Sequence, residues 1–270
     1  MNVYASIAES AARSAGDYIQ SRAADISDLS IEQKSLNDYV SEVDRQSEQM
    51  IFDIIRAEFP EHCFLGEEFG SSGISAADYQ WIVDPLDGTT NFLRGIPHYA
   101  VSIALQFKGE IIQASVYDPS KNDMFSATKG HGATLNGRSI TVSTASTIKG
   151  GLYATGIPFN GLSLDNLDCF TDCLDEILNR QTAGIRRLGS AALDLAYVAA
   201  GRYDGFWEAN LQPWDIAAGL LLVKEAGGLV RDLTGAEGYL QNGHILAACP
   251  GAFDDLLEIS VKVYSQWRTS

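Results

Sequence analysis

Trp81-Ile82-Val83-Asp84-Pro85-Leu86-Asp87-Gly88-Thr89-Thr90 is the stretch on which the reading of this chain turns. Gln80–Val83 reads as a short buried strand that runs straight into Asp84 and so delivers a carboxylate to its C-terminal end. Pro85 fixes φ and stiffens the turn. Asp87 stands close enough beyond Asp84 for a turn to bring both carboxylates to one point. Gly88 allows a close backbone approach or a positive φ, and Thr89 and Thr90 suit the start of a helix. Paired carboxylates bind hard divalent cations through oxygen. A helix start offers free N–H groups to an anion. Metal on one side and amide donors on the other would grip a phosphate. Asp-Pro and Asp-Gly met singly are ordinary turn formers; the whole string after a buried strand points to chemistry.

Outward from this point the chain alternates helix and strand. Val3–Arg22 and Ser41–Phe59 carry apolar residues at helical spacing, the second stopped by Pro60. Between them Leu29–Ser35 reads as a strand and Asn37-Asp38 as a turn. Cys63–Leu65 is another short strand, running into Gly66-Glu67-Glu68. Tyr99–Phe107, Glu110–Tyr117 and Asp123–Ala127 form a meander with turns at Lys108-Gly109 and Asp118-Pro119. Gly130, Gly132 and Gly137 mark a loop-rich stretch. In the second half Gly151–Thr155, Tyr203–Glu208, Leu229–Leu233 and Ile245–Ala248 read as strands. Ser163–Asn179, Ser190–Ala200, Ile216–Ala226 and Phe253–Trp267 read as helices. The expected class is mixed α/β in alternating layers. A Ser/Thr-rich run, Ser139–Thr147, suggests a boundary between an N-terminal unit, 1–145, and a C-terminal unit, 146–270.

Composition excludes several function classes. The 270 residues carry 35 acidic against 19 basic side chains, a net charge of −16, and no Lys/Arg array longer than a pair such as Arg186-Arg187. Nonspecific binding to nucleic acid needs such arrays, so none is expected. Bound cations can still invert the local field for an anionic substrate. Cys63, Cys169, Cys173 and Cys249 show no zinc spacing and read as reduced thiols. No secretory leader or membrane-length apolar run is visible, which makes the cytoplasm the expected location.

Asp84–Thr90, continued by Asn91-Phe92, resembles a signature of the inositol monophosphatase family. Pro213-Trp214-Asp215-Ile-Ala-Ala-Gly through Gly227-Gly228 is similar to that family's second signature, and Gly66-Glu67-Glu68 matches in type and spacing. Arg186-Arg187-Leu188-Gly189-Ser190-Ala191-Ala-Leu-Asp is similar to its bacterial members. The resemblance implies a layered α-β-α-β-α sandwich of the sugar/inositol phosphatase type, usually as a homodimer. It implies hydrolysis of a small-molecule phosphate monoester by water with two or three Mg2+ ions. By matching positions, Glu67, Asp84 and the Leu86 carbonyl would hold one metal, and Asp84, Asp87 and Asp215 a second. Gly88 and Thr89 would hold phosphate through backbone amides, beside Leu86, Asp87 and Asp215. Glu67 and Thr89 would orient the attacking water. Arg186, Gly189, Ser190, Ala191 and Glu208 match positions that contact the alcohol; an acid such as Glu208 suits polyol hydroxyls, and hence inositol phosphate.

Taken singly, these residues have plainer readings. Asp215 would be a helix N-cap, Glu67 a surface carboxylate, Asp44 a charge on a solvated helix face, and His98 and His131 loop histidines. Within the same superfamily, fructose-1,6-bisphosphatase and nucleotide 3′-phosphatase activities are alternatives. The haloacid-dehalogenase-like motif Asp-x-Asp-Gly-Thr is one residue shorter than the spacing from Asp84 to Thr89, which disfavours an aspartyl-phosphate route. A non-catalytic role as a regulatory binding partner is a reading of another class.

Overall fold

In a computed structural model of the chain, the described residues are 2–24, 31–35, 38–73, 77–157 and 167–265, with backbone alone for those between 31 and 40. Val3–Arg22 forms α1, whose inner face is built of Ala5, Ala8, Ala11, Ala12 and Ala15. Such small side chains let it lie close to its neighbours. Ile31–Ser35 (β1) and Asp38–Ser41 (β2) make a small antiparallel ribbon. Glu42–Glu58 (α2) follows directly. Ser41 caps it in a capping box with Asp44, so the helix start satisfies its own N–H groups.

The first large sheet gathers Cys63–Gly66 (β3), Gly70–Ser72 (β4), Tyr79–Asp87 (β5), Ala100–Phe107 (β6), Glu110–Asp118 (β7), Asp123–Thr128 (β8), Ala133–Leu135 (β9) and Arg138–Ile140 (β10), with Thr89–Leu93 (α3) between β5 and β6. Its order is β10-β9-β8-β7-β6-β5-β3-β4, and only β3 and β5 run parallel. The second sheet, in order β12-β11-β13-β15-β14, joins Leu152–Thr155 (β11), Gly184–Arg186 (β12), Gly205–Glu208 (β13), Leu229–Arg231 (β14) and Ile245–Ala248 (β15). Its helices are Leu167–Asn179 (α4), Ala191–Ala199 (α5), Pro213–Glu225 (α6), Tyr239–Asn242 (α7) and Pro250–Tyr264 (α8).

Five layers result. α1 and α2 pack on one face of the first sheet, α5 and α6 lie between the sheets, and α4 and α8 cover the far face of the second. α5 and α6 are apolar nearly all round because both of their faces are covered. The expected α-β-α-β-α sandwich is therefore what the chain forms. Among the described residues no helix is long and apolar enough to cross a membrane.

Several boundaries differ from the sequence reading. β5 runs on through Asp87 instead of ending before Asp84. α6 begins at Pro213 and not at Ile216, because proline is well suited to the first turn. The glycine-rich stretch after β8 holds the short strands β9 and β10, whose turns the glycines make. Helical structure is seen from Leu167 and to Tyr264; residues 163–166 and 266–267 of the expected helices, Leu29 and Ser30 of the expected strand, and Asn37 lie outside the described residues.

Candidate active site

The extension of β5 is what makes the site. Asp84 pairs with Ser102 on β6 and Asp87 pairs with Ala100, so three steps along β5 match two along β6. That is a bulge with one extra residue. A regular strand sends residues three apart to opposite faces; the extra residue removes that alternation and lets both carboxylates serve one region. Asp84 is buried, 2% exposed, and its Oδ1 accepts the Leu86 N–H at 2.9 Å. Gly88 then takes φ 97°, a left-handed conformation, and starts α3.

Two elements from the other half of the chain meet this bulge. Asp87 Oδ2 accepts the Ser190 hydroxyl at 2.6 Å and the Ala192 N–H at 2.7 Å, both from the start of α5. Asp215 is the third residue of α6. It is not the N-cap; Gln212 is, and its N–H donates to Asp215 Oδ2 at 2.7 Å. The Ser102 hydroxyl donates to the Trp214 carbonyl at 3.2 Å, holding the start of α6 against β6.

These acids crowd one another. Burial pushes Asp84 well above the usual carboxylate range, and the charges of Glu67, Asp87 and Asp215 push it further. Asp215 is raised by burial and then by Asp87. Asp87 is raised by burial to about 6, held back by its bonds to Ser190, Ala192 and Ala191. Glu67, the first residue beyond β3, is half-buried and its N–H donates to the Val83 carbonyl at 3.2 Å, beside Asp84. Glu67, Asp87 and Asp215 thus all bear on Asp84, from both halves of the chain.

Asp44 is a correction to the sequence reading. It lies not on a solvated face but 1% exposed, with Oδ2 accepting the Ser41 N–H and hydroxyl and Oδ1 facing the Thr89 hydroxyl at 2.9 Å. Thr89 Oγ1 also lies 3.1 Å from the Leu86 carbonyl. Burial outweighs these bonds and raises Asp44.

Beyond the acids lies a cavity of about 170 Å³ lined by Asp87, Gly156, Arg187, Gly189, Ser190, Ala191, Glu208 and Asp215, among others. Burial raises Glu208 well above its usual range, and the charges of Asp194 and Asp87 add to this while Arg187 opposes it. A Cβ on Gly156 would overlap the Glu208 carboxylate, so a larger residue there would make that carboxylate shift. Both Arg186 and Arg187 are exposed, but Arg186 does not line the cavity; its guanidinium bonds the Ile185 carbonyl at 3.3 Å. Arg187 is the arginine that faces the cavity. Asn91 joins the halves, its Nδ2 donating to the carbonyls of His98 at 2.8 Å and Leu188 at 2.7 Å. His98 is buried, held near pKa 4 by burial and then by Lys121. A larger cavity, about 610 Å³ between α1 and β8–β9, is lined by His131 but by none of the four acids.

The sequence matches the inositol monophosphatase family over residues 1–263. The chain belongs to that family. Its relative "Nus factor SuhB" of Pseudomonas aeruginosa is 50% identical over 254 residues, 93% of each chain. The crystal structure of the extragenic suppressor protein suhB from Bartonella henselae is 40% identical, with a TM-score of 0.91 over 95% of this chain and 98% of that one. Inositol monophosphatase from Anabaena is 35% identical, with a TM-score of 0.82 over 98% of each. The family fold is therefore shared along nearly the whole length.

Proposed function

We propose that the protein hydrolyses phosphate monoesters of inositol, or of related polyols and sugars, by attack of water with Mg2+ as cofactor. One observation carries this: Glu67, Asp87 and Asp215 all bear on buried Asp84. Gathered buried carboxylates are costly unless a cation compensates them, and an all-oxygen donor set suits Mg2+. In this reading Glu67, Asp84 and the Leu86 carbonyl hold one ion and Asp84, Asp87 and Asp215 another, with a third ion left open. Among the described residues no three His, Cys, Asp or Glu side chains are already arranged to hold a metal ion, so Asp84, Asp87 and Asp215 would have to draw together around the second one. Water and substrate oxygens would fill the rest of each shell, as is usual for Mg2+. Bound metal would supply Lewis acidity and lower the pKa of water.

The chain's own groups do the rest. Asp44 accepts the hydrogen bond of the Thr89 hydroxyl, which leaves a Thr89 lone pair to accept a hydrogen bond from the attacking water; as that water loses its proton to Thr89 Oγ1, the Thr89 proton passes to Asp44, and Glu67 orients the same water. The amides of Gly88 and Thr89 bind phosphate oxygens. Glu208 accepts from substrate hydroxyls, and Arg187, rather than Arg186, faces the alcohol side. The direct test is turnover of inositol 1-phosphate with Mg2+, set beside Asp84→Asn. Activity that needs both Mg2+ and Asp84 supports the reading; a wild type inert towards every phosphate monoester contradicts it. Strong preference for fructose 1,6-bisphosphate or 3′-phosphoadenosine phosphate in the same panel would replace the substrate and keep the mechanism.

A second reading rests on the name Nus factor borne by the 50% identical relative. It gives the chain a role as a protein partner, associated with RNA polymerase. With a net charge of −16, contact would be with protein more than with a nucleic acid backbone. Retention on immobilised RNA polymerase by wild type and Asp84→Asn alike would support this role; no retention of either would remove it. A homodimer is part of the proposal, and sedimentation at one protomer's mass would contradict it.

A further inference from the structure

We propose that Glu48 is a positioning residue: it fixes the turn that presents Glu67, and thereby sets how tightly the site holds a divalent cation. This rests on the reading that Glu67 is a metal ligand.

Glu48 lies on α2 and is 0% exposed. A buried carboxylate is expensive unless its oxygens are hydrogen-bonded. Its Oε2 accepts the Glu68 N–H at 2.9 Å, and its Oε1 accepts the Phe69 N–H at 2.8 Å. Both donors belong to the turn between β3 and β4 that begins at Glu67. Bonds from backbone N–H groups to a carboxylate are charge-assisted and stronger than neutral ones. The residue before Glu67 shows how close the approach is: a Cβ on Gly66 would overlap the Glu48 carboxylate, although nothing in the φ of Gly66 demands glycine. A side chain at position 66 would make the Glu48 carboxylate shift.

Glu48 stands four residues after Asp44, so both project from one face of α2. Asp44 reaches the Thr89 hydroxyl while Glu48 reaches the Glu67 turn. One rigid helix therefore sets the separation between the two residues that would orient the attacking water.

Glu48→Gln keeps the shape but offers an NH2 where one N–H must be accepted. Two readouts are measured on the full chain. Amide hydrogen exchange at Glu68 and Phe69 should accelerate about tenfold or more, with β5 unchanged, as a lost charged hydrogen bond allows. Mn2+ binding, followed by titration calorimetry, should weaken by about tenfold. The Mg2+ needed for half-maximal turnover should rise in parallel, with KM at saturating metal little altered. Gly66→Ala, which pushes the carboxylate away from the other side, should reproduce both effects. If wild type binds Mn2+ and both variants bind it equally well, the proposal is overturned while the functional reading stands. Should wild type bind no Mn2+, the functional reading fails first. Should neither variant fold, fast exchange of the Glu68 and Phe69 amides in wild type overturns the proposal and slow exchange supports it.

Discussion

At the residue scale, the site consists of carboxylates whose neighbours decide what each can do. Asp84 carries the largest burden, since the charges of Glu67, Asp87 and Asp215 all fall on it. Asp84→Asn should lower kcat by about 10²–10³, the loss of one strong electrostatic stabiliser, ~3–4 kcal/mol. Steady-state kinetics at saturating Mg2+ will show it. Thr89→Val keeps the shape but removes the hydroxyl that meets Asp44. It should cost about 10² in kcat, the low end of proton-transfer effects, with substrate KM nearly unchanged. The carboxylates of the two signatures are legible in the sequence because each stands in a string too specific to be a turn alone. Asp44 and Glu48 are not, since an acid in a helix looks the same in sequence whether it faces water or a buried hydroxyl. Arg186 and Arg187 are indistinguishable for a similar reason: neighbours on an extended segment point to opposite sides, and only the register of β12 with β11 decides which faces the cavity.

Elements matter through their ends. α2 begins at a capping box in which Asp44 both caps the helix and holds Thr89. Ser41→Ala should lower stability by about 1 kcal/mol, the usual cost of a lost cap, and should also depress turnover, because Asp44 loses the hydroxyl that orients it. Denaturant unfolding read beside kinetics checks both effects. The bulge in β5 is not legible in the sequence. On the same residues a strand can end before Asp84 or run through Asp87, and only pairing with β6 reveals the extra residue. Helix positions are legible where apolar spacing is regular, as in α1. They are less so in α6, where apolar residues on all sides blur the period and Pro213 sets the start.

For the whole molecule, the site is where two halves meet, and its charge balance couples binding to stability. Asp84, Asp87 and Asp215 have raised pKa values, so the metal-free fold holds protons more tightly than the unfolded chain. Their favourable contribution is complete below the unfolded carboxylate range. It is lost as pH rises through the folded values, about 6 for Asp87. The metal-free protein should therefore lose the Asp87 part of this contribution as pH rises from about 4 through about 6, and the Asp84 and Asp215 parts as pH rises further through their own raised values. Mg2+ should raise Tm more at about pH 8 than at about pH 5, because protons compete with it at the lower pH. Thermal scans at both pH values will show it; an equal rise at each would contradict the linkage. The layered order is legible through the two signatures, which belong to separate halves and must meet if both serve one site. The central claim is that these halves close around divalent cations. A crystal soaked in Mn2+ and measured for anomalous scattering tests it most directly. Density peaks beside Asp84, within reach of Glu67 and the Leu86 carbonyl on one side and of Asp87 and Asp215 on the other, are the predicted result. A cleft without such a peak, in crystals whose soak gives ordered Mn2+ elsewhere, would contradict it.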